Sequence, residues 1–238
     1  MGKMIAFKNN KGGVGKSWIT LQVGHALVTL FRYKVLIITS DTQNNILLFA
    51  GIDIEPGAGL ESWVTNGNGD LIRLRENLYY IPLSIGAETS KKFKSNLKQT
   101  ISNLKQEYDF ILLDPNPTLR LDKEFTDEAD YFIIPTFLDQ VTSQSMLNII
   151  DDIDKRKIKA IIPNKYTNTK KEREYYSNLK EIFDNFDIYL SFPISQSAEI
   201  GRLIDKGKTI WDVNNQNVAP FKKIIKDVLD VIVWKIIL

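Results

Sequence analysis

The 238-residue chain contains no cysteine, one histidine and 43% apolar residues, and its formal charge is +2. Without cysteine, a thiolate-held cluster and a cysteine nucleophile are excluded, and a single histidine argues against a histidine-based metal site. The apolar content suffices for a large core and no linker divides the chain, so we predict one domain over residues 1–238. No apolar run reaches the ~20 residues of a spanning helix, and the first strand begins too early to leave room for a signal peptide. We therefore expect a cytoplasmic protein with no stable membrane span.

The most informative stretch follows the first predicted strand, residues 4–7, and precedes a helical pattern over residues 18–31. It reads Asn9-Asn10-Lys11-Gly12-Gly13-Val14-Gly15-Lys16-Ser17. Three glycines let successive backbone N–H groups point at one anion, and the helix that follows adds its positive N-terminal end. Lys16 supplies a point charge for the outer phosphates, and the Ser17 hydroxyl suits a magnesium ion. The sequence therefore predicts a phosphate-binding P-loop.

This loop departs from the usual G-x-x-x-x-G-K-[ST] pattern, because Asn10 stands at the first glycine and Lys11 follows it. The run K-G-G-V-G-K-S resembles the deviant Walker A loop of the ParA/MinD ATPases, in which the extra lysine reaches the nucleotide held by the other subunit of a dimer. The resemblance implies ATP and Mg²⁺ as ligands and catalytic roles for Lys11 and Lys16. The nucleotide contacts that it implies in this loop are Lys11, Gly12, Gly13, Val14, Gly15, Lys16, Ser17 and Trp18. A solvated loop lysine is the alternative interpretation of Lys11.

A second predicted strand, residues 35–38, ends in Thr39-Ser40-Asp41-Thr42-Gln43. The carboxyl end of such a strand carries the ligand site in open α/β sheets, and a carboxylate there suits the orientation of a water. The stretch resembles the family's D-x-D-P-Q box, with Thr39 in place of the first Asp and Thr42 in place of Pro. The resemblance makes Asp41 the residue that orients the attacking water. Asp41 could instead be a helix-capping or turn residue.

A surface excursion with one short helix is predicted for residues 51–70, followed by a strand over residues 78–82. A helical stretch then ends near residue 107 and carries four lysines, which form either a solvated face or a nucleic-acid contact: Lys91, Lys92, Lys94 and Lys98. The clearest buried strand, residues 110–114, ends in Asp114. This is a Walker B arrangement, which predicts Asp114 and Ser17 as the magnesium ligands. The run from Asp114 to Pro117 also resembles the family's D-x-x-P switch.

Further strands are predicted over residues 129–136, 158–162 and 188–192, with helices between them. In the resembling family an Asn after the second of these strands binds the adenine edge, which implies that role for Asn164, although a turn Asn is the alternative. The loop that begins at Pro193 resembles the family's nucleotide-base loop, except that Gln196 stands where an Arg is usual. A polar loop is predicted to hold four basic residues that suit solubility or DNA contact equally: Lys165, Lys170, Lys171 and Arg173. His25 is expected at the surface or a boundary.

Strands that alternate with helices predict a doubly wound α/β domain with a mainly parallel sheet. The final helix, residues 221–238, has one apolar face, which we expect to pack on the sheet; a MinD-like membrane-surface helix is the alternative. The resemblance covers nearly the whole chain and implies a ParA-type partition ATPase. It would form an ATP-dependent homodimer, bind non-specific DNA, associate with the nucleoid when ATP is bound, and hydrolyse ATP slowly under stimulation by a centromere-binding adaptor. A membrane-surface positioning ATPase and an ATP-dependent metabolic enzyme remain the alternatives.

Overall fold

The computed structural model describes residues 1–84, 91–116 and 122–237. Within these residues eight strands form one sheet, in the order β3-β4-β2-β5-β1-β6-β7-β8. The strands are β1 (Lys3–Phe7), β2 (Val35–Thr39), β3 (Ile72–Arg75), β4 (Leu78–Ile81), β5 (Phe110–Asp114), β6 (Tyr131–Thr136), β7 (Ile158–Pro163) and β8 (Tyr189–Leu190).

The helices are α1 (Lys16–Phe31), α2 (Asn45–Ala50), α3 (Leu60–Asn66), α4 (Lys91–Glu107), α5 (Asp122–Asp127), α6 (Gln140–Asp152), α7 (Lys170–Phe183), α8 (Ala198–Asp205) and α9 (Ala219–Ile237). Short 3₁₀ turns lie at Lys155–Lys157, Ile210–Asp212 and Gln216–Val218. Strand pairs are parallel except β3 with β4. The doubly wound, mainly parallel sheet predicted from the sequence is therefore confirmed.

The central strands are buried on both faces, which explains their unbroken apolar runs. In β1, Ile5 and Phe7 face one apolar cluster, and Met4 and Ala6 face the other. The same alternation runs through β2 and β5, as the two-residue period of a strand requires. Since β1 lies between β5 and β6, the chain reverses its direction of winding beside the carboxyl end of β1, which is where open α/β sheets bind their ligands.

The helices cover the sheet in two layers. Apolar residues of α1 and α9 join the cluster on one face, and those of α4, α6 and α7 join the cluster on the other. The predicted apolar face of α9 is buried at all six positions, Phe221, Ile224, Ile225, Val228, Leu229 and Ile232, so its packing on the core is confirmed. In the described part of the chain no helix is both long enough and apolar enough to cross a bilayer. The side chains of residues 234–238, the end of the alternative membrane helix, lie outside the described residues.

One prediction of local structure is wrong, and one strand was missed. Lys170, Lys171 and Arg173 lie in helix α7 rather than in a polar loop, because Thr169 caps the helix through the backbone N–H of Glu172 and Glu172 reciprocates. Strand β3 was not predicted at all. It pairs with β4 through a tight turn in which Asn77 has a φ of 56°, a conformation that asparagine tolerates better than most residues.

His25, which was expected at the surface or at a boundary, is 8% exposed. Its Nδ1 lies 2.7 Å from the Thr209 hydroxyl and 4.0 Å from a carboxylate oxygen of Asp212. Arg75 of β3 donates to both Asp212 oxygens, at 2.9 and 2.8 Å. We call His25, Arg75, Thr209 and Asp212 the arginine latch. It joins α1, the edge strand β3 and the segment after α8.

Candidate functional site

The glycine-rich loop connects β1 to α1 at the carboxyl edge of the sheet. Gly13 and Gly15 have φ of 74° and 95°, a region that favours glycine. A Cβ on Gly15 would lie 2.2 Å from Nδ2 of Asn164, so both the backbone conformation and the close approach of Asn164 exclude a side chain at this position. Gly15 is the N-cap of α1 and supplies no side-chain cap, which leaves the first N–H groups of the helix for an anion. The backbone geometry of this loop is therefore suited to the phosphate group that the sequence predicts there.

Lys16 folds back over this loop. Its side chain is buried, and the ammonium donates to the carbonyl oxygens of Asn9 and Lys11 at 3.2 and 3.1 Å. Asn9 fixes the loop from the other side, since its amide donates to the Pro135 carbonyl of β6 at 2.7 Å and its Oδ1 accepts from the Lys11 N–H at 2.9 Å. Sequence reasoning gave Asn9 no role, although a buried polar residue at a strand end is a signal for such a tie.

Lys11 lies on a different surface from Lys16. It is exposed and does not line the main cavity. Instead it borders a shallow groove with Asn10 and the polar start of α6, which contributes Gln140, Val141, Gln144, Ser145 and Asn148. The two lysines of the loop are thus separated: one is held inside its own phosphate cradle and the other faces outward.

Ser17 and Asp114 lie together, as predicted for a magnesium site. Asp114 ends β5, is 2% exposed and accepts a hydrogen bond from Ser17, while its Oδ1 is buried without a hydrogen-bond partner. Burial raises the pKa of Asp114 to about 7, and the Ser17 hydrogen bond and nearby Lys16 only partly offset this. An unpartnered carboxylate oxygen beside a hydroxyl is a hard-oxygen donor set that fits Mg²⁺. Among the described residues no group of three or more His, Cys, Asp or Glu side chains is placed to hold a metal ion. Magnesium in nucleotide sites usually takes its other ligands from water and phosphate oxygens.

Asp41 lines the main cavity, at the end of β2 beside Asp114. Its Oδ1 accepts from the Gln43 N–H at 3.0 Å and from the Asn116 side-chain amide at 3.2 Å. Thr39, which replaces the family's first Asp, is fully buried; its hydroxyl donates to the Asp114 carbonyl oxygen and accepts from the Asp41 N–H, each at 2.9 Å. The threonine is therefore a structural link between the two carboxylate-bearing strands.

The main cavity has a volume of about 690 Å³ and extends from the phosphate loop toward α8. Gly12, Gly13, Gly15, Lys16, Ser17 and Trp18 line its loop end. Phe49, Ile200 and Ile204 line an apolar wall, while Asn164, Lys165, Ser195, Gln196 and Ser197 add polar groups. A mostly apolar wall opposite a phosphate cradle is suited to a nucleotide.

Comparisons with known proteins point to the same chemistry. A family model of an AAA domain, AAA_31, matches residues 2–168. The chain belongs to the ParA/MinD family of P-loop ATPases. The sporulation initiation inhibitor protein Soj of Bacillus subtilis is 35% identical over 136 residues, so the alignment spans 51% of this chain and only about half, 52%, of Soj.

Solved structures share the ParA/MinD fold. An ATP complex of a McdA variant from Cyanothece superposes with a TM-score of 0.79 at 19% identity, over 97% of this chain and 96% of that one. The septum site-determining protein MinD of Pyrococcus horikoshii, in complex with Mg-ADP, superposes with a TM-score of 0.74 at 22% identity, over 96% of both chains. Identities this low show the fold alone.

Two residues, Asn164 and Pro193, were expected to contact the base of the nucleotide. Asn164 lines the cavity, but its amide donates to the Val14 carbonyl oxygen at 2.9 Å, so it supports the phosphate loop. Pro193 does not line the cavity, whereas Ser195, Gln196 and Ser197 just after it do. Pro117, the last residue of the predicted switch motif, lies outside the described residues.

Asn44, to which the sequence analysis assigns no role, supports the site from outside the cavity lining. It adopts a φ of 48° before α2, and its Oδ1 accepts from the Tyr80 hydroxyl at 2.8 Å and the Leu83 N–H at 3.0 Å. Its amide donates to the Leu83 carbonyl oxygen at 2.8 Å. Asn44 thereby anchors the loop that carries Asp41 to the end of β4. Asparagine tolerance of positive φ is the signal that could have found it.

Proposed function

We propose that this ParA/MinD-family chain is a partition-type ATPase: two copies join around ATP and Mg²⁺, the dimer binds DNA without sequence specificity, and slow hydrolysis separates it. The observation that carries the proposal is the separation of the two loop lysines. Lys16 is folded into its own phosphate cradle, whereas Lys11 is exposed and outside the cavity. An exposed lysine whose backbone N–H is held by Asn9 is suited to a phosphate presented by another subunit.

The cavity residues divide the work as follows. The loop amides and Lys16 bind the phosphates, and Ser17 with Asp114 holds the metal. Asp41 orients a water for attack, and the apolar wall of Phe49, Ile200 and Ile204 packs against the base. When bound, ATP supplies the γ-phosphoryl group whose charge distinguishes the dimer-forming state from the ADP state.

Sedimentation velocity with magnesium and either ADP or a non-hydrolysable ATP analogue tests the dimer. We expect a dimer with the analogue and a monomer with ADP. Lys11→Ala should weaken the dimer roughly ten- to hundred-fold, since a charge-assisted contact contributes about 1.5–3 kcal/mol. Lys98→Ala, which removes an exposed lysine of α4, is the matched control. A Lys11→Ala protein that dimerises like its parent would contradict the proposed contact of Lys11 with the nucleotide of the other subunit.

The proposed DNA surface lies on the sheet face covered by α4 and α7. Lys92 and Lys98 are exposed on α4, whereas Lys94 of the same helix pairs with Glu124 and Lys170 of α7 lies 3.9 Å from Glu174. Reversing Lys92 and Lys98 to Glu should therefore reduce co-sedimentation with a DNA duplex more than reversing Lys170 and Lys171. The salt dependence of the parent should have a log–log slope of about 0.9 per phosphate contacted. A dimer that ignores DNA at low salt would contradict this part of the proposal.

The adaptor that stimulates hydrolysis and the nucleoid association stay proposals of the same kind. The membrane alternative receives no support from the described residues, because the apolar face of α9 that would enter a bilayer is buried in the core.

A further inference from the structure

The ends of β2 and β5 are joined by side-chain hydrogen bonds beyond the sheet ladder. Thr39 Oγ1 donates to the Asp114 carbonyl oxygen at 2.9 Å, and the Ser40 N–H donates to the same oxygen at 3.3 Å. Just beyond the two strands, the backbone N–H of Asn116 donates to the Ser40 hydroxyl oxygen at 2.8 Å. Thr39 and Ser40 are fully buried, so these bonds are shielded from water.

Asn116 also contacts Asp41, the carboxylate that we propose orients a water. The side-chain amide of Asn116 donates to Asp41 Oδ1 at 3.2 Å, and the Gln43 N–H donates to the same oxygen at 3.0 Å. Both contacts fall on one oxygen, which leaves Oδ2 as the acceptor for a water in the cavity that Asp41 and Asn116 both line. Two donors on one oxygen restrict the rotation of the carboxylate, and small displacements of a water-orienting group are costly to the rate.

We propose that Asn116 is a positioning residue for Asp41: Ser40 holds the backbone N–H of Asn116, and the side-chain amide of Asn116 sets the orientation of the Asp41 carboxylate. Asn116 thereby couples the segment after β5 to the segment after β2. The inference rests on the proposed ATPase function for its catalytic meaning. Thr39 completes the device, because a hydroxyl at this position joins the same two segments without adding a third carboxylate beside Asp41 and Asp114.

The experiment compares Asn116→Ala and Asn116→Asp with the parent, and uses Asn103→Ala, on the exposed surface of α4, as the control. Both Asn116 variants lose the donor, and Asn116→Asp keeps the shape of the side chain, so a folding defect of one does not prevent the test. Two quantities are measured: the kcat and KM of magnesium-dependent ATP hydrolysis, and amide hydrogen exchange across residues 41–44 without nucleotide.

We expect kcat to fall about 10- to 100-fold in both variants while KM changes less than about threefold, since a displaced group costs rate rather than binding. Exchange across residues 41–44 should be several-fold faster, because the Gln43 N–H loses a fixed acceptor. Asn103→Ala should match the parent in both measurements.

Parental kcat in Asn116→Ala and Asn116→Asp would overturn the proposal, and so would parental exchange across residues 41–44. A parent protein that does not hydrolyse ATP would instead overturn the proposed function, and the exchange measurement would still decide whether Asn116 holds Asp41.

Discussion

The pKa values of two carboxylates, Asp212 and Asp114, are shifted in opposite directions. Asp212, in the arginine latch, receives both Arg75 donors and the Thr209 N–H at 2.7 Å. Burial alone would raise the pKa of Asp212, but these hydrogen bonds and the Arg75 charge outweigh it, so the pKa is lowered. Asp114, at the phosphate loop, has an unpartnered oxygen, and burial raises its pKa to about 7.

The difference separates a carboxylate paired within the protein from the carboxylate that we propose as a magnesium ligand. The latch satisfies its charge within the protein and ties three elements together. At the end of β5 the charge of Asp114 is only partly compensated. This lowers the stability of the ligand-free protein, and a bound divalent cation would remove the loss. Neutralising each carboxylate, or removing its partner, should therefore have opposite effects on stability.

The largest effect is expected for Asp114→Asn. Because the folded-state pKa of about 7 exceeds the unfolded value of 3.8, the folded protein binds the proton more tightly, and the parent loses stability as the pH rises from about 4 to about 7. Without nucleotide or magnesium, Asp114→Asn should raise the free energy of unfolding at pH 8 by up to roughly 4 kcal/mol and leave it nearly unchanged at pH 4. Urea denaturation at both pH values checks this. An equal change at both would contradict the charge-based account.

Removing the donor from the latch should have the opposite sign. Arg75→Ala leaves the Asp212 carboxylate without its bidentate partner and frees the carbonyl oxygens of Ala50 and Gly207, which Arg75 contacts at 3.2 and 3.1 Å. Since the pair is partly exposed, we expect a loss of roughly 3 kcal/mol in urea denaturation at pH 7. Arg73→Ala, on the exposed face of the same strand, should change stability by less than about 0.5 kcal/mol. Equal losses in the two variants would show that β3, not the latch, determines the effect.

A smaller, pH-dependent effect is expected at His25. Burial lowers its pKa from 6.5 to about 4, against the opposing pull of Asp212, and Arg75 and Lys222 add to the lowering. The latch therefore contributes full stability above pH 6.5 and loses it as the pH falls toward 4, by roughly 2 kcal/mol after allowance for partial exposure. His25→Gln, which retains hydrogen-bonding groups for Thr209, should flatten this acid limb in denaturation experiments at pH 4.5 and 7. If His25→Gln loses as much stability between pH 7 and pH 4.5 as the parent does, other groups cause the pH dependence.

The sheet and the phosphate loop were predictable because their signals are local. The four-residue apolar runs at residues 35–38 and 110–113 each specify a strand, and a Gly-Lys-Ser sequence specifies the start of a helix. Strand β3 escaped prediction because Ile72–Arg75 alternates apolar and charged residues over only four positions and acquires its burial from β4.

The tertiary ties of the site were not predictable in the same way. Asn9, Asn44 and Asn116 act through partners 126, 39 and 75 residues away. Nothing in the sequence near each Asn indicates these partners. The burial of His25 was not predicted for the same reason, because its partner Thr209 lies 184 residues later. The close approach of Gly51 and Gly207, where a Cβ on Gly207 would lie 2.1 Å from the Gly51 Cα, likewise appears only once the sheet order is known.

The most direct test of the account is calorimetric titration of ATP into the parent and into Lys16→Ala, each with and without magnesium. We predict that the parent binds ATP more tightly with magnesium. Lys16→Ala should bind at least about 100-fold more weakly, because it loses a charge-assisted contact with the outer phosphates. A Lys16→Ala protein that binds ATP as the parent does, or a parent that ignores magnesium, would contradict the assignment of this loop and of Ser17 with Asp114.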